Sequence, residues 1–193
     1  MPLKWNIYVR TSEALARDET EMTETKTMRP KPLQALIGEL EKGRQLILNL
    51  DDTSYIQESD TSGSVGGHFR HDLNFVDAVL AGVASGVIDY NKRVRDRLIE
   101  TDRVYASEKF TEAIDKLMNL DTCVLNNDVF VASETDTAMM HRSSISREIE
   151  FVHSHTVHHH ALIAEKLSSQ GIETGRYFGV APSTLEYWQA GAA

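Results

Sequence analysis

The sequence lacks the features that mark several specialised classes of protein. Its 193 residues include one cysteine, Cys123, so no disulfide can form within the chain and we expect a reducing compartment. We expect Cys123 itself to be a small buried side chain rather than a catalytic thiol. The chain does not open on a signal-peptide pattern, and no apolar run approaches the ~20 residues that span a bilayer. We therefore predict a cytoplasmic protein without membrane contact.

Basic residues are also in the minority. The chain has 29 acidic and 20 basic residues, a net charge of −9, and these numbers argue against nucleic acid as a partner. Its length fits one ordinary domain. We assign residues 32–193 to that domain and residues 1–31 to an N-terminal extension, because a polar stretch rich in Thr and Glu runs from Asp18 to Thr27.

Apolar residues recur at helical spacing in four stretches, each bounded by a capping or breaking residue. Pro30 and Pro32 mark the start of the first helix, and Gly171 follows the end of the fourth. The four predicted helices run from Pro32 to Leu50, from a cap at Ser64 to Ser85, from a cap at Ser107 past Leu117, and from Ser143, Ser144 or Ser146 to about Ser168.

One segment between the third and fourth helices has a different character. Two runs rich in β-formers, 122–125 and 129–133, flank Asn126 and Asn127, which predicts a hairpin. The fold class is therefore all-α, an up-and-down four-helix bundle with a small β-hairpin inserted before the last helix. We expect the connections 51–63 and 88–101 to be irregular, and the aromatic, turn-rich tail from Arg176 to Trp188 to fold back over the bundle.

Histidine is concentrated in the second and fourth predicted helices. On the fourth, His155 and His159 are four residues apart and share one face, so both can direct a ring nitrogen at one cation. Such a pair alone is a weak signal, and a second histidine-bearing helix strengthens it. Thr156 stands where a zincin carries its general base, which excludes that class of metalloprotease.

The second helix offers two candidates for a third ligand. His68 lies nearer the centre of the apolar stripe, whereas His71 lies at its border, where a ligand facing a cleft is expected. Asp72 also falls on the inward side, and it could orient an imidazole, bind the metal directly or form a salt bridge.

The other histidines of the fourth helix have less favourable positions. His158 could be a further contact, although a surface position suits it better. His153 and His160 project to a different side of the helix from His155 and His159, so we expect them to be exposed or to lie behind the ligands. Three neutral imidazoles would leave an open position for water or substrate. We expect a divalent metal ion, zinc or nickel first, with iron, cobalt or manganese as alternatives.

Two stretches resemble the DinB superfamily, the DinB and YfiT-like proteins described as metal-dependent hydrolases. They are Ser64-Val-Gly-Gly-His-Phe-Arg-His71 and His155-Thr-Val-His-His159 with the following His160-Ala-Leu-Ile, and the likeness covers about residues 32–170. The resemblance implies a metal triad of His71, His155 and His159, with His68 as the alternative third ligand, and a homodimer. Asn74 stands where the family commonly has a carboxylate.

The resemblance also implies the function. Members of the superfamily include thiol S-transferases and a thiol-dependent isomerase, so we expect a metal-dependent hydrolase or thiol S-transferase whose metal activates water or a thiol. Its substrate would be a small molecule, including a low-molecular-weight thiol. A non-catalytic, stress-associated, metal-binding dimer is the alternative. A bundle whose histidines only cap and pack is a third reading.

Overall fold

The computed structural model describes residues 29–58, 63–92, 94–136 and 138–191, which are mostly helical with one small sheet. The predicted extension over residues 1–31 lies outside these residues as far as residue 28. The elements are α1 (Lys31–Asn49), α2 (Asp52–Ile56), α3 (Val65–Ser85), β1 (Val87–Ile88), α4 (Arg97–Thr101), α5 (Arg103–Met118), a 3₁₀ helix (Thr122–Asn126), β2 (Asp128–Ala132), β3 (Met140–Ser144), α6 (Ile145–Ser169) and α7 (Pro182–Gly191).

The two histidine-bearing helices begin at capping serines, as predicted. The Ser64 hydroxyl accepts a hydrogen bond from the Gly67 amide at 3.0 Å at the start of α3, and Ser144 caps α6 in the same way. Helix α3 ends at Gly86, whose φ of 72° is the left-handed conformation that glycine adopts without strain. These signals are local in the chain, which is why the sequence alone located both helices.

The four long helices pack around one apolar core. Helix α1 contacts α5 and α6, and α3 contacts the same two helices. Phe69 of α3 and Phe110 of α5 are fully buried at the centre, with ring centroids 5.4 Å apart in an edge-to-face arrangement. The contact between α3 and α6, here called the α3–α6 seam, brings the two groups of histidines next to each other.

The predicted hairpin is wrong in position and extent. Residues Thr122–Asn126 form a 3₁₀ helix, capped by Asp121, which accepts a hydrogen bond from the amide of Cys123. Strand β2 instead pairs with β3 in antiparallel fashion and with β1 in parallel fashion, giving a three-stranded sheet in the order β1-β2-β3. The sequence could not show the pairing of β1 with β2, because the two strands lie some forty residues apart.

The predicted start of the third helix and both irregular connections also need correction. Helix α5 begins at Arg103 because the Asp102 side chain accepts hydrogen bonds from the amides of Val104 and Tyr105. Ser107, the predicted cap, is buried inside the helix. The connections contain helices α2 and α4, which are capped by Asp51 and Asp96. Aspartates that looked like loop residues are thus helix caps.

The tail returns to the helical core at one point. Phe178 is buried, and Gly179 lies directly against the backbone of Ala161 on α6. Beyond it the tail forms α7, a helix rather than the predicted turns, and no residue of α7 is buried. Within the described part of the chain, every helix is too short or too polar to cross a bilayer.

Candidate metal centre

Three half-buried histidines on facing helices form the candidate site. His71 of α3 and His155 and His159 of α6 each offer a ring nitrogen, and these three nitrogens lie within 4.8 Å of one another. Among the described residues they are the one group of His, Cys, Asp or Glu side chains that meets this criterion. Nε2 of His71 is 2.8 Å from Nε2 of His155, so these two rings point at the same place.

His155 is held by a stack of aromatic rings. Its ring lies 4.0 Å from that of Phe75 at an angle of 15°, and Phe75 in turn stacks on Tyr90 at 4.7 Å. The Tyr90 hydroxyl donates to Glu148 at 2.8 Å, and the hydroxyl of Ser143 donates to the other oxygen of the same carboxylate. Burial and the adjacent carboxylate raise the pKa of Tyr90, which keeps the hydroxyl protonated as the donor. The stack therefore limits the orientations that the His155 ring can take.

His159 lies at the centre of the histidine group. Its ring centroid is 4.5 Å from that of His71 and 4.7 Å from that of His155. Burial, followed by the neighbouring imidazoles, lowers the pKa of His159 to about 3. The ring is therefore neutral near pH 7 and retains the lone pair that a metal ion needs.

Two more histidines border the site. Nδ1 of His68 is 2.9 Å from Nδ1 of His159, but His68 is not a member of the three-histidine group. His158 is exposed, with its ring 5.4 Å from that of His159, which agrees with the surface position favoured from the sequence. The four candidate ligands are thus neighbours in the structure. His71, His155 and His159 form the three-histidine group, and His68 lies beside it, against His159.

His160 and His153 lie on a different side of α6 from the three-histidine group, as expected, but both are buried, so the exposed position expected for them is wrong. His160 is fully buried against α1, where its Nδ1 donates to Oε1 of Glu39 at 2.7 Å. Burial first, opposed by the bond to Glu39, lowers the pKa of His160. The imidazole is therefore neutral and the carboxylate carries the charge. Sequence reasoning missed Glu39, whose only signal was a carboxylate on the apolar side of a helix.

Asp72 faces this buried pair and not the three-histidine group. The side chain is fully buried, and its Oδ2 lies 3.8 Å from Nε2 of His160. Burial and then the charge of Glu39 raise the pKa of Asp72 well above its usual value. The sequence placed Asp72 on the inward side correctly, but the proposed roles as ligand or as partner of a ligand imidazole do not fit this position.

Asn74 and Cys123 were also singled out from the sequence. Asn74 is buried and donates from its side-chain amide to the carbonyl of Val94 at 3.0 Å. Cys123 is exposed rather than buried, which corrects the expectation for it. Its hydrogen bond to Asp121 raises the pKa of the thiol, and this opposes formation of a reactive thiolate.

Three cavities in the described part of the chain lie away from the histidines. The largest of the three, about 620 Å³, is lined by residues of α1 and of the tail. The other two, of about 310 and 400 Å³, are lined mainly by α5 with its neighbours and by the end of α6 with the tail. The three-histidine group is therefore a surface site at the α3–α6 seam and not the floor of one of these cavities.

The donor set fits a divalent transition-metal ion. In a tetrahedral zinc site with Zn–N distances near 2.0–2.1 Å, the ligand nitrogens stand roughly 3.4 Å apart. The separations here, 2.8 Å for the closest pair and at most 4.8 Å within the group, bracket that value. Three neutral imidazoles with no carboxylate suit zinc, nickel, cobalt or iron better than magnesium or calcium.

Comparison with known proteins gives one weak similarity. No family profile and no solved structure matches the chain. FK506-binding protein 5 of Rhizopus delemar is 29% identical to it over 105 residues, which are 52% of this chain and 27% of that protein. The chain thus spans about a quarter of the length of that relative, and a similarity of this extent does not assign a family.

Proposed function

We propose that this protein binds a divalent metal ion through His71, His155 and His159. The observation that carries the proposal is the convergence of ring nitrogens from two facing helices, with the Nε2 atoms of His71 and His155 only 2.8 Å apart. The site is half-buried, so the protein holds the rings in place while solvent and small molecules retain access. The metal would be zinc or nickel first, with iron, cobalt or manganese as alternatives.

The reaction that we propose is metal-dependent hydrolysis or thiol S-transfer. Three protein ligands leave a coordination position open, and a bound metal supplies Lewis acidity that lowers the pKa of a water or of a small thiol. The likeness of the two histidine stretches to the DinB superfamily supports this class, as does the mostly helical fold. By the same likeness, the protein would act as a homodimer.

Metal binding is tested by metal analysis of the purified protein together with zinc titration. We expect about one metal ion per chain in the native protein, and a clear loss of metal in His71→Ala and in His155→Ala. The matched control is His141→Ala, which removes an exposed histidine of β3 outside the group. Full metal content in both ligand variants would refute the proposal.

A second candidate is a metal-binding module without catalysis. It is favoured by the position of the three described cavities, none of which is lined by a residue of the three-histidine group. The zinc-loaded and nickel-loaded proteins should be assayed on ester, amide and thiol-conjugation substrates. Turnover that is lost in His155→Ala supports the enzyme, whereas full metal occupancy without turnover supports the module.

A further inference from the structure

We propose that His68 is a positioning residue, whose Nδ1 accepts a hydrogen bond from Nδ1 of His159 and thereby assigns Nε2 of His159 to the metal ion. The inference rests on the proposed metal site. It goes beyond that site because it gives His68 a role other than ligand and selects one of the two nitrogens of His159.

The first observation is the contact itself. The two Nδ1 atoms are 2.9 Å apart, a hydrogen-bonding distance, and the ring centroids are 5.1 Å apart at an angle of 45°. His68 nevertheless lies outside the group whose nitrogens are within 4.8 Å of one another. His68 therefore contacts a candidate ligand without joining the ligand set.

The second step follows from the chemistry of imidazole. A neutral ring has one N–H donor and one lone-pair acceptor, and a metal takes the lone pair. When Nε2 of His159 is the ligand, its proton stands on Nδ1, so Nδ1 must donate to His68. The Nδ1 of His68 then accepts, and His68 carries its own proton on Nε2. Both rings remain neutral and no proton is gained or lost.

The spacing of the sequence produces this arrangement. His68 and His71 are three residues apart on α3, so they occupy successive turns of one face. The ring of His159 on α6 lies within 5.1 Å of both, which lets it meet His71 at the metal site and His68 behind it. Ligand histidines in proteins generally give their second nitrogen to a hydrogen-bond partner, and here a histidine serves as that partner.

The experiment compares two substitutions of His68 in the full-length protein by competitive zinc titration. An asparagine places its carbonyl oxygen on Cγ, where His68 carries Nδ1, and so can accept the bond from His159, whereas a leucine cannot. We expect His68→Leu to weaken zinc binding by a factor on the order of 10 to 100, the usual effect of losing such a partner, and His68→Asn to stay within about threefold of the native protein. His158→Leu is the matched control, since His158 is exposed and outside the group, and zinc binding should be unchanged.

A second readout does not depend on the variants. Long-range ¹H–¹⁵N spectra of the zinc-loaded native protein should show His159 protonated at Nδ1 and bound through Nε2, and His68 protonated at Nε2. Coordination of His159 through Nδ1, or of His68 by either nitrogen, would overturn the inference. Equal losses in His68→Leu and His68→Asn, or no loss in His68→Leu, would do the same. If the native protein binds none of the divalent transition-metal ions named above, the proposed function itself fails.

Discussion

Replacing the buried carboxylate of Glu39 by its isosteric amide gives the sharpest test of how α1 is held against α6. Glu39 is 3% exposed and accepts hydrogen bonds from His160 Nδ1 and Lys42 Nζ, each at 2.7 Å. Burial alone would raise the pKa of Glu39, but the hydrogen bonds from His160 and Lys42, together with the charge of Lys42, outweigh it and lower the pKa below the usual 4.5. The fold therefore favours the charged form of this side chain.

The magnitude follows from the two bonds. A hydrogen bond to a charged group contributes about 1.5–3 kcal/mol, and a neutral one about 1 kcal/mol. The Lys42 side chain is 42% exposed, so its ion pair adds only about 0–1 kcal/mol. Because a glutamine amide keeps a neutral bond to His160, we expect Glu39→Gln to lower the free energy of unfolding by about 1–3 kcal/mol at pH 7.

The assay is urea unfolding followed by circular dichroism, with a chelator present so that metal binding does not contribute. A depressed pKa means that the contribution of Glu39 is complete above pH 4.5 and is lost as the pH falls through the folded-state pKa. The difference between Glu39→Gln and the native protein should therefore shrink on acidification. Glu41→Gln is the control, since Glu41 pairs with Arg44 at the surface of the same helix. Equal stability of Glu39→Gln and native protein at pH 7, or a difference that does not depend on pH, would refute this account.

Three further predictions concern packing and metal linkage. Gly43→Ala should destabilise the fold by about 1–3 kcal/mol, because the added Cβ would stand 3.0 Å from His160 Nε2. Gly38→Ala on the same helix is the control, since a Cβ there meets nothing within 4 Å and should stabilise the fold by about 0.5–1 kcal/mol. Urea unfolding measures both changes. Gly66→Ala should lower the free energy of unfolding by about 3 kcal/mol in the same assay, since the added Cβ would overlap the Glu100 carbonyl. The adjacent Gly67 gives the comparison, because a Cβ there meets only the Ser64 hydroxyl at 3.3 Å. Zinc at one hundred times its Kd should raise the free energy of unfolding by about 2.7 kcal/mol, chelation should remove that increase, and His155→Ala should never show it.

The candidate site illustrates what a single sequence can and cannot give. His155 and His159 were predictable because their relation is local, one helical turn on one face. The choice between His71 and His68 could not be predicted from their spacing, because two residues that are three apart on a helix can both face the same neighbouring helix. Only the packing of α3 on α6 brings Nε2 of His71 to 2.8 Å from His155 and leaves His68 beside His159.

The same division holds for the rest of the fold. Local patterns predicted the four long helices and the serine caps of α3 and α6, because those signals act over a few residues, although α5 begins at Arg103 and not at Ser107. The tertiary packing determines that His160 meets Glu39, that Asp72 faces this pair, and that β2 pairs with β1. Each of these depends on contacts between segments distant in the chain, which local periodicity does not encode.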